Sequence, residues 1–324
     1  MKIQEEFRML RLGVDVGGTF IKAGVVDENC AILHKVSVPT GGDGGYPAVV
    51  ENIAHAAELA ARAAGKTVAD FEGVGIGIPG LLDPKSGVVV LAPNLGGWRD
   101  VAFLEAIQKL LPVPVRVGND ANCAVVGETL AGAAKGCENV VMLTLGTGVG
   151  GGIIADGKLF VGGRGLGAEL GHMVLQMEGE TCGCGRKGCI EAYCSVTALV
   201  KQTRAAMEKD PHSAMHAFAK EAGLVDGRTA FECAKKGDRA ALTVVETYTR
   251  YLANAVGSLV VAFRPDVVLI GGGLSNQGAY LMDKLNALLP QYVFASDILG
   301  VPPILRATLG NDAGTIGAAF LDRV

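Results

Sequence analysis

Apolar residues recur at helical spacing between residues 48 and 64. They are Val49, Val50, Ile53, Ala57, Ala60, Ala61 and Ala64. Residues at this spacing share one face of an α-helix. Gly65 follows where a helix C-terminal glycine is favoured, because glycine adopts the left-handed conformation without a Cβ clash. The pattern predicts an amphipathic helix that ends before Gly65.

Short apolar runs, each followed by glycine, predict buried strands elsewhere in the chain. Two of these runs cover residues 73–78 and 113–117, and a third, Val267–Ile270, leads into Gly271–Gly273. Helical spacing then returns at Tyr280, Leu281, Lys284, Leu285 and Leu288. Strands that alternate with glycine turns and helices are typical of an α/β protein.

The same strand and turn pattern occurs twice. Residues 12–26 read as strand, glycine turn and strand, and residues 141–154 resemble them. The tetrapeptide Gly-Asn-Asp-Ala at 118–121 recurs at 310–313, and each copy opens a stretch rich in Ala and Gly. Such self-similarity constrains a whole fold. It predicts two related halves that face a cleft.

Length and charge narrow the functional class. A chain of 324 residues is longer than one compact core usually supports, so two domains are expected. Its 29 Lys and Arg and 33 Asp and Glu are scattered, which offers nucleic acid no basic footprint. Lys2, Glu5, Glu6 and Arg8 interrupt the N-terminal apolar residues, and no apolar run is long enough to cross a bilayer. We therefore expect a cytoplasmic protein without nucleic-acid or membrane partners.

A cysteine cluster suggests a metal site. His172 is followed by Cys182, Cys184 and Cys189, a set of ligands that zinc accepts in tetrahedral geometry. Four protein ligands imply a structural site, while a loop of free thiols is the alternative. Cys194 is left out of the set. The remaining cysteines are isolated and read as small buried residues: Cys30, Cys123, Cys137 and Cys233.

Glycine turns offer a cradle for phosphate in a chain without a P-loop signature. The candidate residues are Gly17, Gly18, Thr19, Gly146, Thr147 and Gly148. Glycines let backbone amides approach phosphate oxygens closely, and threonine hydroxyls add donors. Asp15, just before the first turn, could hold Mg²⁺ through water. Ordinary tight turns are the alternative, but two matched copies favour a function.

A dinucleotide fingerprint is a second interpretation of the glycines. Gly146, Gly148 and Gly151 satisfy the G-x-G-x-x-G spacing. That fingerprint must open a helix, whereas the residues that follow Gly151 read as a strand. The context therefore argues against dinucleotide binding.

Asp120 is a candidate catalytic base. It follows a strand at a helix start, where Asn and Asp are favoured simply as caps. Asp312 stands in the same tetrapeptide, and we expect this second copy to be a cap. Glu169 and His172 lie three residues apart and Glu191 follows the last cysteine, so the metal loop can position all three.

The combined motifs resemble the ROK family of sugar kinases and repressors, most closely its bacterial ATP-dependent glucokinases. The likeness covers nearly the whole chain and rests on residues 15–19, 118–122, 145–152, 169–172 and 182–191. It implies a duplicated actin-like ATPase (ribonuclease H-like) fold with two domains around a cleft. The implied domains are a small one at 1–119 and a larger one at 120–312 with a zinc loop at 172–191. A final helix near 313–323 would return to the small domain.

The resemblance also implies the site residues. Those lining the sugar would be Gly80, Asn94, Asn119, Asp120, Glu169, His172 and Glu191. Those near ATP would be Gly17, Gly18, Thr19, Gly146, Thr147, Gly148, Gly271, Gly272 and Gly273. Zinc would bind His172, Cys182, Cys184 and Cys189, and Mg²⁺ would bind near Asp15.

The expected activity is phosphorylation of glucose by ATP to glucose 6-phosphate, with Asp120 accepting the proton of the primary hydroxyl. N-acetylmannosamine or fructose is an alternative acceptor, and a sugar-binding regulator is an alternative class. The chain before Leu10 is too short for a DNA-binding helix-turn-helix, which argues against a regulator. We expect a homodimer or homotetramer. Exact hexose preference, polyphosphate as donor and regulation stay open.

Overall fold

The structure, a computed structural model, describes residues 10–323. The strands are β1 (Arg11–Val16), β2 (Phe20–Val26), β3 (Ile32–Pro39), β4 (Val74–Ile78), β5 (Leu81–Asp83), β6 (Val88–Ala92), β7 (Trp98–Val101), β8 (Val115–Asn119), β9 (Val140–Leu145), β10 (Val149–Ala155), β11 (Lys158–Leu159), β12 (Val267–Gly271) and β13 (Ile304–Arg306). The α-helices are α1 (Gly45–Ala63), α2 (Phe103–Gln108), α3 (Asp120–Ala131), α4 (Glu191–Cys194), α5 (Val196–Lys209), α6 (Met215–Ala222), α7 (Thr229–Lys235), α8 (Arg239–Phe263), α9 (Ala279–Leu288), α10 (Ser296–Leu299) and α11 (Ala313–Ala319). Short 3₁₀ turns occupy Gly42–Gly44, Val68–Asp70, Pro93–Leu95, Gly163–Gly165, Leu170–His172, Gly273–Gln277, Leu289–Tyr292 and Gly310–Asp312.

The first sheet has five strands in the order β3-β2-β1-β4-β8. Strands β1, β2 and β3 pair antiparallel, whereas β4 runs parallel to both β1 and β8. Every residue of β4 is buried, as expected for a central strand covered on both faces. The strand predicted at 73–78 is confirmed as β4, and the one predicted at 113–117 is β8, displaced by two residues toward the C-terminus.

Helix α1 confirms the amphipathic pattern. Val49, Ile53 and Ala60 are buried on its inner face. Gly65 ends the helix in the left-handed conformation at φ +68°. Its N–H donates to the carbonyl of Arg62 at 2.9 Å, and the next N–H donates to Ala61 at 3.0 Å. These two bonds form a Schellman cap and satisfy carbonyls that the helix end leaves open.

Helix α11 packs against β1 and β4 at close range because both strands present glycines there. A Cβ built on Gly13 would lie 2.0 Å from the carbonyl oxygen of Thr315. One built on Gly75 would lie 1.7 Å from that of Ala318. The helix expected near 313–323 therefore packs on the first sheet, and it ends earlier, at Ala319.

The second five-stranded sheet has the order β11-β10-β9-β12-β13, with β12 parallel to both β9 and β13. Both sheets therefore place a glycine-linked pair of consecutive strands beside two further parallel strands. A third, small antiparallel sheet has the order β5-β6-β7. The matching strand orders confirm the duplication that the repeated motifs predicted.

The chain divides into two compact units. Within residues 10–323, the first contains the residues up to 138, residues 152–168 and those from 308 onward, and the second contains 139–151 and 169–307. The division falls after Glu138 rather than after residue 119 because α3 packs against α11 and β4. In the first unit, the fully buried carboxylate of Glu128 on α3 accepts hydrogen bonds from the N–H groups of Thr308 and Leu309. Those bonds fix the start of the C-terminal segment against α3.

Among residues 10–323, no helix has the length and apolar character needed to cross a bilayer. The residues on which the signal-peptide expectation rests, Lys2, Glu5, Glu6 and Arg8, lie outside the described part of the chain.

Candidate active site

Asn119 and Asp120 stand at the junction of β8 and α3, where a strand end meets a helix N-terminus. Asn119 is the N-cap, and its Oδ1 accepts from the N–H groups of Ala121 at 2.9 Å and Asn122 at 3.1 Å. Its Nδ2 donates to the carbonyl of Gly80 at 3.1 Å. Asp120 is the first helical residue, and its carboxylate accepts the neighbouring N–H of Ala121, at 2.8 Å. Because Asn119 performs the capping, the Asp120 carboxylate keeps acceptor capacity for a ligand.

The second copy of this tetrapeptide behaves differently. Asp312 was expected to cap α11, and the structure contradicts this, because its side chain makes no cap hydrogen bond. Its backbone is already helical, at φ −91° and ψ −14°, whereas a capping residue needs an extended backbone. The carboxylate instead lies 3.2 Å from Nζ of Lys35.

Two carboxylates in the first unit have raised pKa values. Burial raises the pKa of Asp120, and the hydrogen bond from Ala121 partly opposes the rise. Burial also raises the pKa of Asp15 to about 6, although Lys22, 3.9 Å away, lowers it. The charge of Asp120 raises the pKa of Asp15 further. A carboxylate whose ionised form is disfavoured by a neighbouring carboxylate is suited to bind a cation.

The first glycine turn, Gly17–Thr19, is held from behind by Thr40. The Thr40 hydroxyl donates to the carbonyl of Gly17 at 2.7 Å, and its N–H donates to that of Thr19 at 2.9 Å. The N–H groups of Gly18 and Thr19 have no acceptor among residues 10–323. The turn thus offers two free backbone donors, which suits an anion.

The second glycine turn, Gly146–Gly148, is held by the start of α5. The N–H of Val196 donates to the carbonyl of Gly146 at 2.8 Å, and Oγ1 of Thr197 donates to that of Thr147 at 2.7 Å. Within the described chain, the N–H groups of Thr147 and Gly148 have no acceptor. The first and second glycine turns therefore each have fixed carbonyls and two free amides.

The third turn, Gly271–Gly273, lies at the end of β12 in the second unit. Gly272 has a φ of +76°, and a Cβ there would lie 2.5 Å from the carbonyl oxygen of Leu145. Glycine is required for both reasons, and it lets this turn pack directly against the strand that leads into the second glycine turn.

The predicted sugar residues are divided between the two units. In the first unit, Asn119 precedes Asp120 and is hydrogen-bonded to Gly80. Asn94 is exposed in a 3₁₀ turn, and its carbonyl oxygen lies beside Gly18. In the second unit lie Glu169, His172 and Glu191.

Trp98, four residues after Asn94, is buried. Its ring meets that of Tyr46 edge to face with centroids 5.1 Å apart. It belongs to the hydrophobic core of the first unit and not to the candidate site.

The cysteine cluster forms a compact group of four potential ligands. The ligand atoms of His172, Cys182, Cys184 and Cys189 all lie within 4.8 Å of one another. Sγ of Cys182 is 3.7 Å from Nδ1 of His172, and the sulfurs of Cys184 and Cys189 are 3.8 Å apart. A tetrahedral zinc bound at about 2.3 Å separates two sulfurs by roughly 3.8 Å, so the residues fit that metal.

The sequence offered no local signal for the residues that hold the turns. Thr40 lies 23 positions after the carbonyl of Gly17, and Thr197 lies 50 positions after that of Thr147. Thr40 is fully buried, and its burial becomes visible only in the folded chain.

The sequence profile of the ROK family matches residues 11–323. The chain belongs to the ROK family. A glucokinase of Thermotoga maritima is 37% identical over 310 residues, which is 96% of each chain. An N-acetyl-D-glucosamine kinase of Aliivibrio salmonicida is 34% identical over 323 residues, 96% of this chain and 98% of that one. The crystal structure of a ROK family glucokinase from Streptomyces griseus, in complex with glucose and AMPPNP, has a TM-score of 0.82 and 35% identity over 96% of this chain and 98% of that one. These likenesses confirm the predicted family and its actin-like fold.

Proposed function

We propose that this ROK protein transfers the terminal phosphoryl group of ATP to the primary hydroxyl of glucose and forms glucose 6-phosphate, with Asp120 as the general base. The broader class, an ATP-dependent sugar kinase, is what the glucokinases of Thermotoga maritima and Streptomyces griseus support.

One observation carries the proposal: Asn119 caps helix α3, which leaves the Asp120 carboxylate available. A sugar hydroxyl is a weak nucleophile until a base accepts its proton, and a carboxylate whose pKa is raised by burial is a stronger base than an exposed one. Asp120 would accept that proton as the hydroxyl oxygen attacks the terminal phosphorus in line and the bond to the leaving diphosphate oxygen breaks.

The phosphates of ATP would lie against the glycine turns at Gly17–Thr19, Gly146–Gly148 and Gly271–Gly273. The first two offer free N–H groups on fixed peptides, and such preorganised donors stabilise charge without reorganising during the reaction. Asp15 would hold Mg²⁺ through water, and Mg²⁺ would neutralise charge on the phosphate oxygens. Positioning and charge neutralisation account for most of the catalysis in phosphoryl transfer.

The glucose hydroxyls would be bound by Gly80, Asn94, Asn119, Asp120, Glu169, His172 and Glu191. Asn119 is suited to a fixed orientation because the Gly80 carbonyl and two helix amides already bind its side chain. His172 would also be a zinc ligand with Cys182, Cys184 and Cys189. That zinc would be structural, holding the loop that carries His172 and ends at Glu191.

An N-acetylated amino sugar or a hexose other than glucose is the second candidate acceptor. The 34% identity to an N-acetyl-D-glucosamine kinase supports an N-acetylated sugar, including N-acetylmannosamine, and fructose is the other alternative. A site that hydrogen-bonds ring hydroxyls can discriminate strongly between sugars. A regulator without catalysis is disfavoured by Asp15, Asp120 and both glycine turns, all in place.

A coupled assay on the purified protein tests the proposal. Glucose, fructose, N-acetylglucosamine and N-acetylmannosamine are compared with ATP and with polyphosphate as donors. We expect the highest kcat/KM for glucose with ATP. A higher kcat/KM for another sugar would make that sugar the substrate in place of glucose. If none of the sugars is turned over, the kinase proposal is contradicted.

A further inference from the structure

Residues 191–197, which follow the cysteine-rich loop, contact the second glycine turn. Three hydrogen bonds join the two: Glu191 Oε2 accepts from Val149 N–H at 3.0 Å, Val196 N–H donates to the Gly146 carbonyl at 2.8 Å, and Thr197 Oγ1 donates to the Thr147 carbonyl at 2.7 Å. All of these residues belong to the second unit.

These bonds set the orientation of three consecutive peptide groups. In a trans peptide the C=O and the N–H point in opposite directions. Holding the Gly146 and Thr147 carbonyls therefore turns the N–H groups of Thr147 and Gly148 to the opposite face. Glu191 holds the Val149 N–H, so the Gly148 carbonyl points to the same face as the two free N–H groups. There it accepts from the N–H of Gly146 at 3.0 Å.

One carboxylate oxygen of Glu191, Oε2, binds the Val149 N–H. The other, Oε1, lies 3.3 Å from Sγ of Cys182, one of the four potential zinc ligands. The side chain is half-buried between the glycine turn and the cysteine cluster.

Gly148 provides the space for this carboxylate. A Cβ at position 148 would lie 2.3 Å from Glu191 Oε2, and the atoms it would meet within 4 Å are those of Glu191. Gly148 is not among the glycines with positive φ, so its backbone conformation does not require glycine. The close approach of Glu191 is the reason that the structure gives for glycine at 148.

We propose that Glu191 is a positioning residue of the nucleotide site, whose carboxylate fixes the Gly148–Val149 peptide so that the free amides of the second glycine turn face the phosphates. This inference rests on the proposed function, in which that turn binds ATP. It adds a nucleotide role to the sugar role proposed for Glu191.

Nucleotide affinity without sugar is the direct measurement. Binding of AMPPNP with Mg²⁺ is followed by calorimetry for the wild type, Glu191→Ala and Glu191→Gln. We expect Glu191→Ala to bind about tenfold more weakly, the loss typical of one hydrogen bond to a charged group. Glutamine keeps an oxygen that can accept from Val149, so Glu191→Gln should stay within about threefold of the wild type.

A double-mutant cycle isolates the Gly148–Glu191 contact. Gly148→Ala alone should weaken AMPPNP binding about tenfold, because the methyl group displaces the carboxylate. Added to Glu191→Ala, the same change should weaken binding by less than about twofold, since the atoms it would meet are gone. Equal losses from Gly148→Ala in both backgrounds would overturn the inference.

Two further variants serve as controls. Glu178→Ala removes an exposed glutamate of the same loop that pairs with Lys187, and the nucleotide affinity of this variant should not change. Thr197→Val removes one bond to the turn without touching a cysteine contact, and it should weaken binding about threefold. Wild-type affinity in Glu191→Ala contradicts the inference, as does a Glu191→Gln variant that binds as weakly as Glu191→Ala. A wild type that does not bind AMPPNP contradicts the proposed function instead.

Discussion

The side-chain amide of Asn119 donates to the carbonyl oxygen of Gly80, 3.1 Å away, while its oxygen accepts from the first amides of α3. This one side chain therefore joins the end of β8, the start of α3 and the turn that follows β4. The Asp120 carboxylate shares one of these amides, the Ala121 N–H, at 2.8 Å. The proposed base and the amide that caps the helix are thus adjacent in the chain.

The first prediction concerns the proposed base. Asp120→Asn should lower kcat by about 10²–10⁴-fold, the range for loss of general base catalysis, while glucose affinity changes by less than about threefold. Steady-state assays and calorimetry measure the two effects. Asp312→Asn is the matched control, because Asp312 stands in the same tetrapeptide yet pairs with Lys35 at the surface. Comparable turnover in the wild type and Asp120→Asn would remove Asp120 from its assigned role.

The second prediction concerns Asp15 and pH. The folded protein raises the pKa of Asp15 from 3.8 to about 6, so its ionised form is disfavoured in the fold. The contribution of Asp15 to the free energy of unfolding is therefore fully present below pH 3.8 and is lost as the pH rises through about 6. Asp15→Asn, neutral throughout, should be more stable than the wild type at pH 8 by on the order of 3 kcal/mol, and equally stable at pH 3.5.

Urea unfolding of the wild type and Asp15→Asn at the two pH values measures this difference. Asp43→Asn, in an exposed turn, is the control and should show no such pH dependence. A stability difference that is the same at both pH values would show that the pKa of Asp15 is not raised. In wild-type assays, kcat/KM should fall as the pH drops below about 6, since protonated Asp15 cannot hold Mg²⁺.

The third prediction concerns metal content. Freshly purified protein should contain about one zinc per chain, and Cys184→Ser should contain far less, because a hydroxyl is a poor zinc ligand. Elemental analysis of both proteins provides the measurement. Cys137→Ser lies outside the cluster and should keep its metal. Wild-type protein free of metal, prepared without chelator, would refute the zinc site.

The fourth prediction concerns Gly80. Its φ is +103°, and a Cβ there would lie 2.2 Å from the carbonyl oxygen of Leu91. Gly80→Ala should therefore lower the free energy of unfolding by more than about 2 kcal/mol, because strain and a backbone clash add. Gly157→Ala is the control: its φ is +72° with open space around it, so only strain remains, about 1 kcal/mol. Similar losses in denaturant unfolding of the two variants would contradict the clash.

Local patterns predicted much of the fold correctly because their physics is local. The apolar stripe and Gly65 predicted α1 and its cap, and glycines at fixed distances from apolar runs predicted β4 and β12. The spacing of His172, Cys182, Cys184 and Cys189 predicted a cluster that the fold does assemble. Residues 10–323 confirm both copies of the strand, turn and strand motif as β1–β2 and β9–β10.

The tetrapeptide at 118–121 and 310–313 shows where local pattern failed. Identical residues open α3 through an Asn119 cap in one copy and precede α11 through a 3₁₀ turn in the other. The prediction that Asp312 caps its helix was wrong because backbone conformation, and not residue type, decides whether a side chain can reach the free amides.

By itself the sequence determined the family, the duplicated architecture and the residue types available for chemistry, since all three are encoded in motifs of a few residues. Only the tertiary structure decided which of those residues are free to react. The Thr40 and Thr197 hydroxyls hold the two glycine turns, burial raises the pKa of Asp15 and Asp120, and Gly148 admits the carboxylate of Glu191. Each of these effects depends on burial or on a contact between residues that are distant in the chain. Neighbouring residues alone predict neither burial nor such contacts.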